Sequence, residues 1–294
     1  MFRRLMVAAA VATAMLQAAW ADAPVRNARP AIWTVHSAAG TAYLFGSIHI
    51  LPPDVNWHSK AVETGIRKAD AFVFEIPIDD TTQASVEAYV AKNGMLAAGQ
   101  SLRAMLPSGM GTRYDTVVAQ SGLPAADVDR MQPWLASVVL SVAALKAQNF
   151  DPARGPDTVI QAQAAAAGKP ILAFETIEQQ FELLASGDAK TNIDSLASTL
   201  DDIIDQPTLV DDMLAAWMSG DTVKLEKLLN GNLDKYPGAR KTLLDDRNAA
   251  WVKRIAVLLK DKRTYFITVG AGHLVGPKGV PALLREAGYQ VDGP

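Results

Sequence analysis

The chain has 294 residues, 49% of them hydrophobic and 20% charged, which is enough apolar material for one large domain with a real core. A formal charge of −3 gives no electrostatic ground for nucleic-acid binding. With no cysteine at all, disulfides, a lipid-modified cysteine, thiol nucleophiles and thiolate zinc sites are excluded.

In chain order, Phe2-Arg3-Arg4 is basic, residues 5–16 are apolar, and Ala19-Trp20-Ala21 is a small-x-small cleavage pattern. That order predicts a signal peptide over residues 1–21 and a mature start at Asp22. Loss of Arg3 and Arg4 takes the formal charge from −3 to −5. The apolar stretch is too short for a stable membrane anchor. Export without disulfides points to a bacterial periplasm or the medium.

Residues 31–36 and 41–46 are β-rich runs separated by Ser37-Ala38-Ala39-Gly40, which predicts a hairpin. A helix is expected over 59–68 and a buried strand over 71–76, with no polar residue before Glu75; together with the preceding strand they make a βαβ unit. Residues 82–149 are helical in pattern, broken at Gly109, Gly111 and Gly122-Leu123-Pro124. A helix over 157–167 is closed by Gly168-Lys169-Pro170, and a strand over 171–174 ends in Glu175. The pattern is again helical over 176–260. A strand at 265–269, a helix at 280–287 stopped by Gly288, and a strand at 289–291 finish the chain. The expected fold is α/β (α+β-like): a single domain over 22–294 with a central mixed, mainly parallel sheet and large helical insertions at about 82–149 and 176–260.

One short pattern occurs twice. Leu44-Phe45-Gly46-Ser47-Ile48-His49 and Thr268-Val269-Gly270-Ala271-Gly272-His273 are each an apolar run followed by Gly-x-x-His, with a proline four positions after the histidine. Only four histidines exist, and two sit in this frame. His49, Glu75, Glu175 and His273 all lie at the C-terminal ends of apolar strands, where open α/β sheets bind ligands. If those strands are parallel neighbours, the four side chains converge. Imidazoles so placed suit a metal or an acid–base site. A carboxylate set in an apolar run is costly to bury unless paired or metal-bound.

Other features read more simply. His36 is expected on the hairpin surface, His58 at a helix N-terminus and Asp157 as a helix N-cap. Glu175 and Gln179 share a face if a helix starts there. Arg247-Asn248 follows the acidic Asp245-Asp246 and precedes an amphipathic run from Trp251. No Gly-x-Ser-x-Gly, His-Glu-x-x-His, P-loop or complete dinucleotide-binding fingerprint occurs.

Taken in order, Trp33, the first Gly-x-x-His run, Ala69-Asp70-Ala71 with Glu75, Gly155-Pro156-Asp157, Glu175-Thr176 with Gln179, Trp217 with Gly220-Asp221, Arg247-Asn248 with Trp251, the second Gly-x-x-His run and Gly288-Tyr289 resemble the TraB/GumN-like family, which is related to the Tiki metalloproteases. The resemblance covers nearly the whole mature chain. It implies a metal-dependent hydrolase of the peptidase or amidase kind, with both Gly-x-x-His histidines and a glutamate in the active site. It also implies kinship with the erythromycin-esterase and haem-binding ChaN-like folds. The leading expectation is that His49, His273 and Glu75 hold a divalent metal (manganese, cobalt, iron or zinc), leaving a position for water. Glu175 is then the general base or orients a histidine, the division of labour between Glu75 and Glu175 being open. Arg247 stabilises negative charge on the substrate, and Gln179 and Asn248 support. The rival expectations are a metal-independent esterase with a histidine base and a non-catalytic periplasmic haem- or metal-binding protein. The expected partner is a peptide or small-molecule substrate, with no nucleic acid and no stable membrane anchor after cleavage.

Overall fold

The computed structural model describes residues 24–231, 233 and 237–294, so the expected signal peptide lies outside the described residues. Among the described residues there are eight strands, the first four preceding the first helix and the others set between helical stretches. β1 (Arg26–Asn27) pairs in parallel with β4 (Val55–Asn56). The other six strands form one sheet: β2 (Ile32–His36), β3 (Thr41–Ser47), β5 (Ala71–Phe74), β6 (Ile171–Ala173), β7 (Thr264–Gly270) and β8 (Gln290–Asp292).

The sheet order is β6-β5-β7-β3-β2-β8. The first four are mutually parallel, and β2 and then β8 join antiparallel, giving the mixed, mainly parallel α/β architecture the sequence leads one to expect. The hairpin β2–β3 forms as expected. The helix Lys60–Lys68 that carries the chain from β3 towards β5 is started by Ser59, whose side chain accepts from the Val62 N–H. β5 is buried at Ala71, Phe72, Val73 and Phe74 alike, so both faces of the sheet are covered, as a parallel centre requires.

Among the described residues, most of the buried apolar side chains fall in two clusters. One surrounds the sheet and includes Phe45, Phe74, Trp217, Trp251 and Phe266. The other lies mainly among helices: Leu102, Tyr114, Val118 and Leu140 from the first helical stretch meet Ile193, Leu196 and Leu200 from the second. Each fully buried Leu or Ile contributes about 1.5–3 kcal/mol, so the two insertions stabilise each other across more than 50 residues of intervening sequence. One expected break does not occur. Gly109 is left-handed (φ 91°) and starts the helix Met110–Ser121, but Gly111 lies within that helix's first turn. Among the described residues no helix is long and apolar enough to cross a membrane.

Candidate active site

The four parallel strands deliver one site residue each to the same edge. In spatial order β6 leads into Glu175, β5 into Glu75, β7 into the short turn Ala271–His273, and β3 into Ser47-Ile48-His49. The Glu175 N–H donates to the Glu75 carbonyl at 2.8 Å, which sets the two carboxylates side by side. Thus the convergence expected from strand ends alone is what the strand order produces.

Three helices complete the group. The helix Asp246–Leu258, entered through a π-helical turn at Lys241–Asp245, brings Arg247, Asn248 and Trp251. Arg247 Nε donates to Glu175 Oε1 at 2.8 Å; Nη2 donates to Glu75 Oε2 at 2.7 Å and Glu175 Oε2 at 2.8 Å; Nη1 donates to the Leu243 carbonyl at 3.1 Å and reaches His273 Nε2 at 3.0 Å. All five guanidinium N–H groups are thereby used. Trp251 stacks beneath the guanidinium at 4.8 Å and donates to Glu175 Oε1 at 2.9 Å. Glu75 Oε1 accepts the Gly270 N–H at 2.6 Å.

His273 is buried, 6% exposed. Its Nδ1 lies 2.6 Å from Asn248 Oδ1, and Asn248 Nδ2 donates to the Lys278 carbonyl. The amide oxygen can only accept, so His273 carries its proton on Nδ1 and its Nε2 lone pair receives Arg247. Burial and the neighbouring guanidinium hold His273 neutral, with a pKa lowered to about 4 against the pull of Glu75.

His49 is the opposite case, its ring 59% exposed. Nδ1 is 3.2 Å from Asp157 Oδ2, and Ser47 Oγ donates to Asp157 Oδ1 at 3.0 Å. Partial desolvation disfavours the charged ring, but the hydrogen bond and charge of Asp157, reinforced by Glu75, outweigh it and raise the pKa to about 9. Glu75 follows the same pattern with opposite sign. Burial pushes it up, while His273, His49, Arg247 and the Gly270 N–H together bring it down to about 2.

Two backbone positions make room. A Cβ on Gly155 would sit 2.2 Å from the His49 carbonyl, so only glycine lets the helix Pro156–Ala166 begin against the first motif. A Cβ on Gly270 would stand 3.1 Å from Glu75 Oε1 and 3.5 Å from His49 Nε2, between the two reactive groups. Beside them a pocket of about 190 Å³ is lined by His49, Phe74, Glu75, Ile76, Ile78, Asp157, Gln180 and Thr268. Thr268 Oγ1 is buried without a hydrogen-bond partner among the described residues. A larger hollow of about 410 Å³ among the helices, beside Arg103 and Tyr114, lacks this convergence of histidines and carboxylates.

The structure departs from the sequence reading at Asp157, Gln179 and Arg247. Asp157 is not the N-cap, which is Gly155; it sits one residue inside the helix and turns its carboxylate to His49. Gln179 does not support the site, because its side chain closes a capping box by accepting the Thr176 N–H at 2.9 Å. The next residue, Gln180, reaches the site instead, donating to Glu75 at 2.9 Å and Glu175 at 3.3 Å. Arg247, with every donor committed to the protein, has none left for a substrate oxyanion. The two remaining histidines stay apart: His36 pairs with Asp292 at 3.0 Å, and His58, beside the N-cap Ser59, pairs with Glu63 at 2.6 Å.

The expected metal ligands were His49, His273 and Glu75. Among the described residues no group of three such side chains is arranged to hold an ion. The reason lies in the donors: His273 Nε2 faces Arg247, and both Glu75 oxygens accept hydrogen bonds. Of these donors, only His49 Nε2 has no hydrogen-bond partner among the described residues, and it lies towards Gly270. As arranged, the trio does not fit a metal.

A mainly parallel sheet carrying two Gly-x-x-His turns and two paired glutamates at one edge defines a class of α/β proteins with a strand-end site. The family model described as TraB/PrgY/gumN matches residues 31–293, and the chain belongs to that family. It is also similar to the protein called Metalloprotease TIKI2 from Danio rerio, with 23% identity over 332 residues, covering 92% of this chain and 62% of that protein. The chain therefore spans less than two thirds of that relative's length. No solved structure matches significantly.

Proposed function

We propose that the protein is a hydrolase of peptide, amide or ester bonds in which His49 transfers the proton. The observation that carries this reading is the His49–Asp157 pair at 3.2 Å, set over the pocket with Nε2 directed to Gly270 and Glu75. Asp157 accepts from Nδ1–H, which fixes the tautomer and leaves the Nε2 lone pair for chemistry. The neutral ring takes a proton from the attacking water at Nε2, Asp157 and Glu75 stabilise the imidazolium, and the same nitrogen returns the proton to the leaving atom. Because the resting ring holds its proton up to about pH 9, kcat/KM rises with pH through that region. Glu75, kept ionised by Arg247 and the Gly270 N–H, faces the same space as a fixed negative group.

The name of the Danio rerio relative favours a second reading, a metal-dependent peptidase using manganese, cobalt, iron or zinc. It requires Arg247 to release His273 and Glu75. We also propose export to a bacterial periplasm or the medium, on the strength of Phe2-Arg3-Arg4, the apolar residues 5–16 and Ala19-Trp20-Ala21. The N-terminal residue of the protein recovered from envelope fractions checks it, Asp22 being expected.

Hydrolysis of fluorescent casein and a panel of nitrophenyl esters by wild type and His49→Ala, each with and without EDTA, tests the reading. Turnover lost in His49→Ala by about 10²–10⁴-fold is expected. Equal turnover in the two would remove His49 from the mechanism. Activity lost to EDTA and restored by one of the four metals would favour the second reading.

A further inference from the structure

We infer that Arg247 is a built-in cation occupying the place a divalent metal would take among Glu75, Glu175 and His273, and that it keeps metal out of this site. The inference concerns the same site as the proposed hydrolase but does not depend on turnover.

The lone pairs that a metal would need are those the guanidinium holds. His273 Nε2 faces Nη1 at 3.0 Å, Glu75 Oε2 faces Nη2 at 2.7 Å, and Glu175 accepts at both oxygens, from Nε and Nη2, each at 2.8 Å. Arg247 is not a passing surface side chain: its exposure is 14%, and those of Glu75 and Glu175 are 12% and 10%. Trp251 floors the guanidinium, and the Leu243 carbonyl accepts its remaining N–H. A planar fork with five fixed donors matches two carboxylates and an imidazole nitrogen in a way that a lysine does not.

Charge leads to the same conclusion. Two adjacent, mostly buried carboxylates carry two negative charges; the guanidinium offsets one, and the donors of Gln180, Trp251 and Gly270 solvate the rest. A divalent ion entering beside Arg247 would meet a fixed positive charge at contact distance and would find the His273 lone pair taken. Remove the guanidinium and the balance reverses. Two carboxylates and a neutral imidazole with its proton on Nδ1 then converge on an empty centre, which is a ligand set for zinc, cobalt or manganese. Asn248, which holds Nδ1–H at 2.6 Å, is already the outer partner that orients a metal-bound histidine.

The test is metal uptake by the full-length protein without substrate. Wild type, Arg247→Met and Arg247→Met/His273→Ala are incubated with Co(II) or Zn(II), desalted, and measured by mass spectrometry and by cobalt ligand-field absorption. The expected result is no stoichiometric ion in wild type, gain of a stoichiometric ion in Arg247→Met, and its loss again in the double variant. A stoichiometric ion in wild type that disappears in His273→Ala overturns the inference. So does a folded Arg247→Met protein that takes up nothing, because the guanidinium would then not be what excludes the metal. If Arg247→Met does not fold, the ring ¹⁵N signals of His273 in wild type decide: unchanged on adding Zn(II) supports the inference, and a shifted Nε2 signal overturns it. A protein that hydrolyses nothing yet gains metal in Arg247→Met would sink the hydrolase reading and leave this one standing.

Discussion

His49 and His273 each follow an apolar parallel strand at the same spacing, and each is three residues past a glycine. What surrounds them differs. The first ring opens to solvent and pairs with Asp157, and its pKa rises to about 9. The second is enclosed by Trp251, Asn248 and Arg247, and its pKa falls to about 4. The motif therefore fixes where an imidazole stands, and the helices that pack on it fix its charge. One copy offers a nitrogen to the pocket, while the other spends both nitrogens on holding the helix Asp246–Leu258 in place.

The largest expected effect comes from breaking the enclosed half. Arg247→Met leaves Glu75 and Glu175 buried beside each other without their cation, at a cost of about 3–5 kcal/mol. Urea unfolding checks this, and a loss under about 1 kcal/mol would mean that the carboxylates are paired elsewhere or exposed.

The contrast between the two rings also predicts opposite pH slopes. For His273 the folded pKa of about 4 lies below the ordinary 6.5, so the unfolded chain binds the proton first. Its contribution to stability is complete above pH 6.5 and lost as pH falls towards 4, on the order of 3 kcal/mol for a buried ring. For His49 the folded pKa of about 9 lies above 6.5. Its contribution is complete below pH 6.5 and lost as pH rises towards 9, screened to about 1 kcal/mol or less because solvent reaches most of the ring. Stability measured across pH 4–10 should flatten on the acid side in His273→Gln and on the alkaline side in His49→Gln. Equal flattening of one limb by both substitutions would contradict the assignment.

Next in size is Asp157→Asn, which keeps the shape beside His49 but removes the charge that raises its pKa. The kcat/KM profile should move to lower pH and its plateau fall by about 10–100-fold, as for loss of an orienting partner. A profile that keeps its inflection near pH 9 would detach Asp157 from His49.

The sequence marks the strand-end half of this site by residue pattern, whereas the helical half enters only through the family resemblance and with partly different roles, for a physical reason. Glu75, Glu175, His49 and His273 are marked by the apolar runs before them, and a strand's period of two puts its last residue at a known edge. Asp157 carries no such mark. Gly-Pro-Asp is a good helix start in any context, and only the approach of Gly155 to the His49 carbonyl turns the aspartate inward. Gln179 and Gln180 are separated by about 100° of helix rotation, so choosing between them needs the helix phase against the sheet. The capping box decides it by drawing Gln179 back to Thr176. Arg247 reads locally as one charge beside Asp245 and Asp246, whereas its partners lie 72 and 172 residues away. Leu140 and Leu196 likewise belong to two separate helical stretches in the sequence until the second cluster joins them.

The smallest effect isolates the pocket from the network around it. Thr268 sits on β7 in register with Phe74 and Phe45, with its hydroxyl buried and unpartnered. Thr268→Val replaces that hydroxyl with a methyl of nearly the same shape and removes the cost of an unsatisfied buried donor, so stability should rise by about 1 kcal/mol. Because Thr268 lines the pocket with His49 and Glu75 while its hydroxyl is buried, KM for a hydrolysed substrate and the pH inflection of His49 should both stay where they were. A fall in stability would mean that the hydroxyl already has a partner, such as an ordered water. A shift of the inflection would place Thr268 in the charge network with Asp157. Neither outcome is expected of a buried hydroxyl with no hydrogen-bond partner among the described residues.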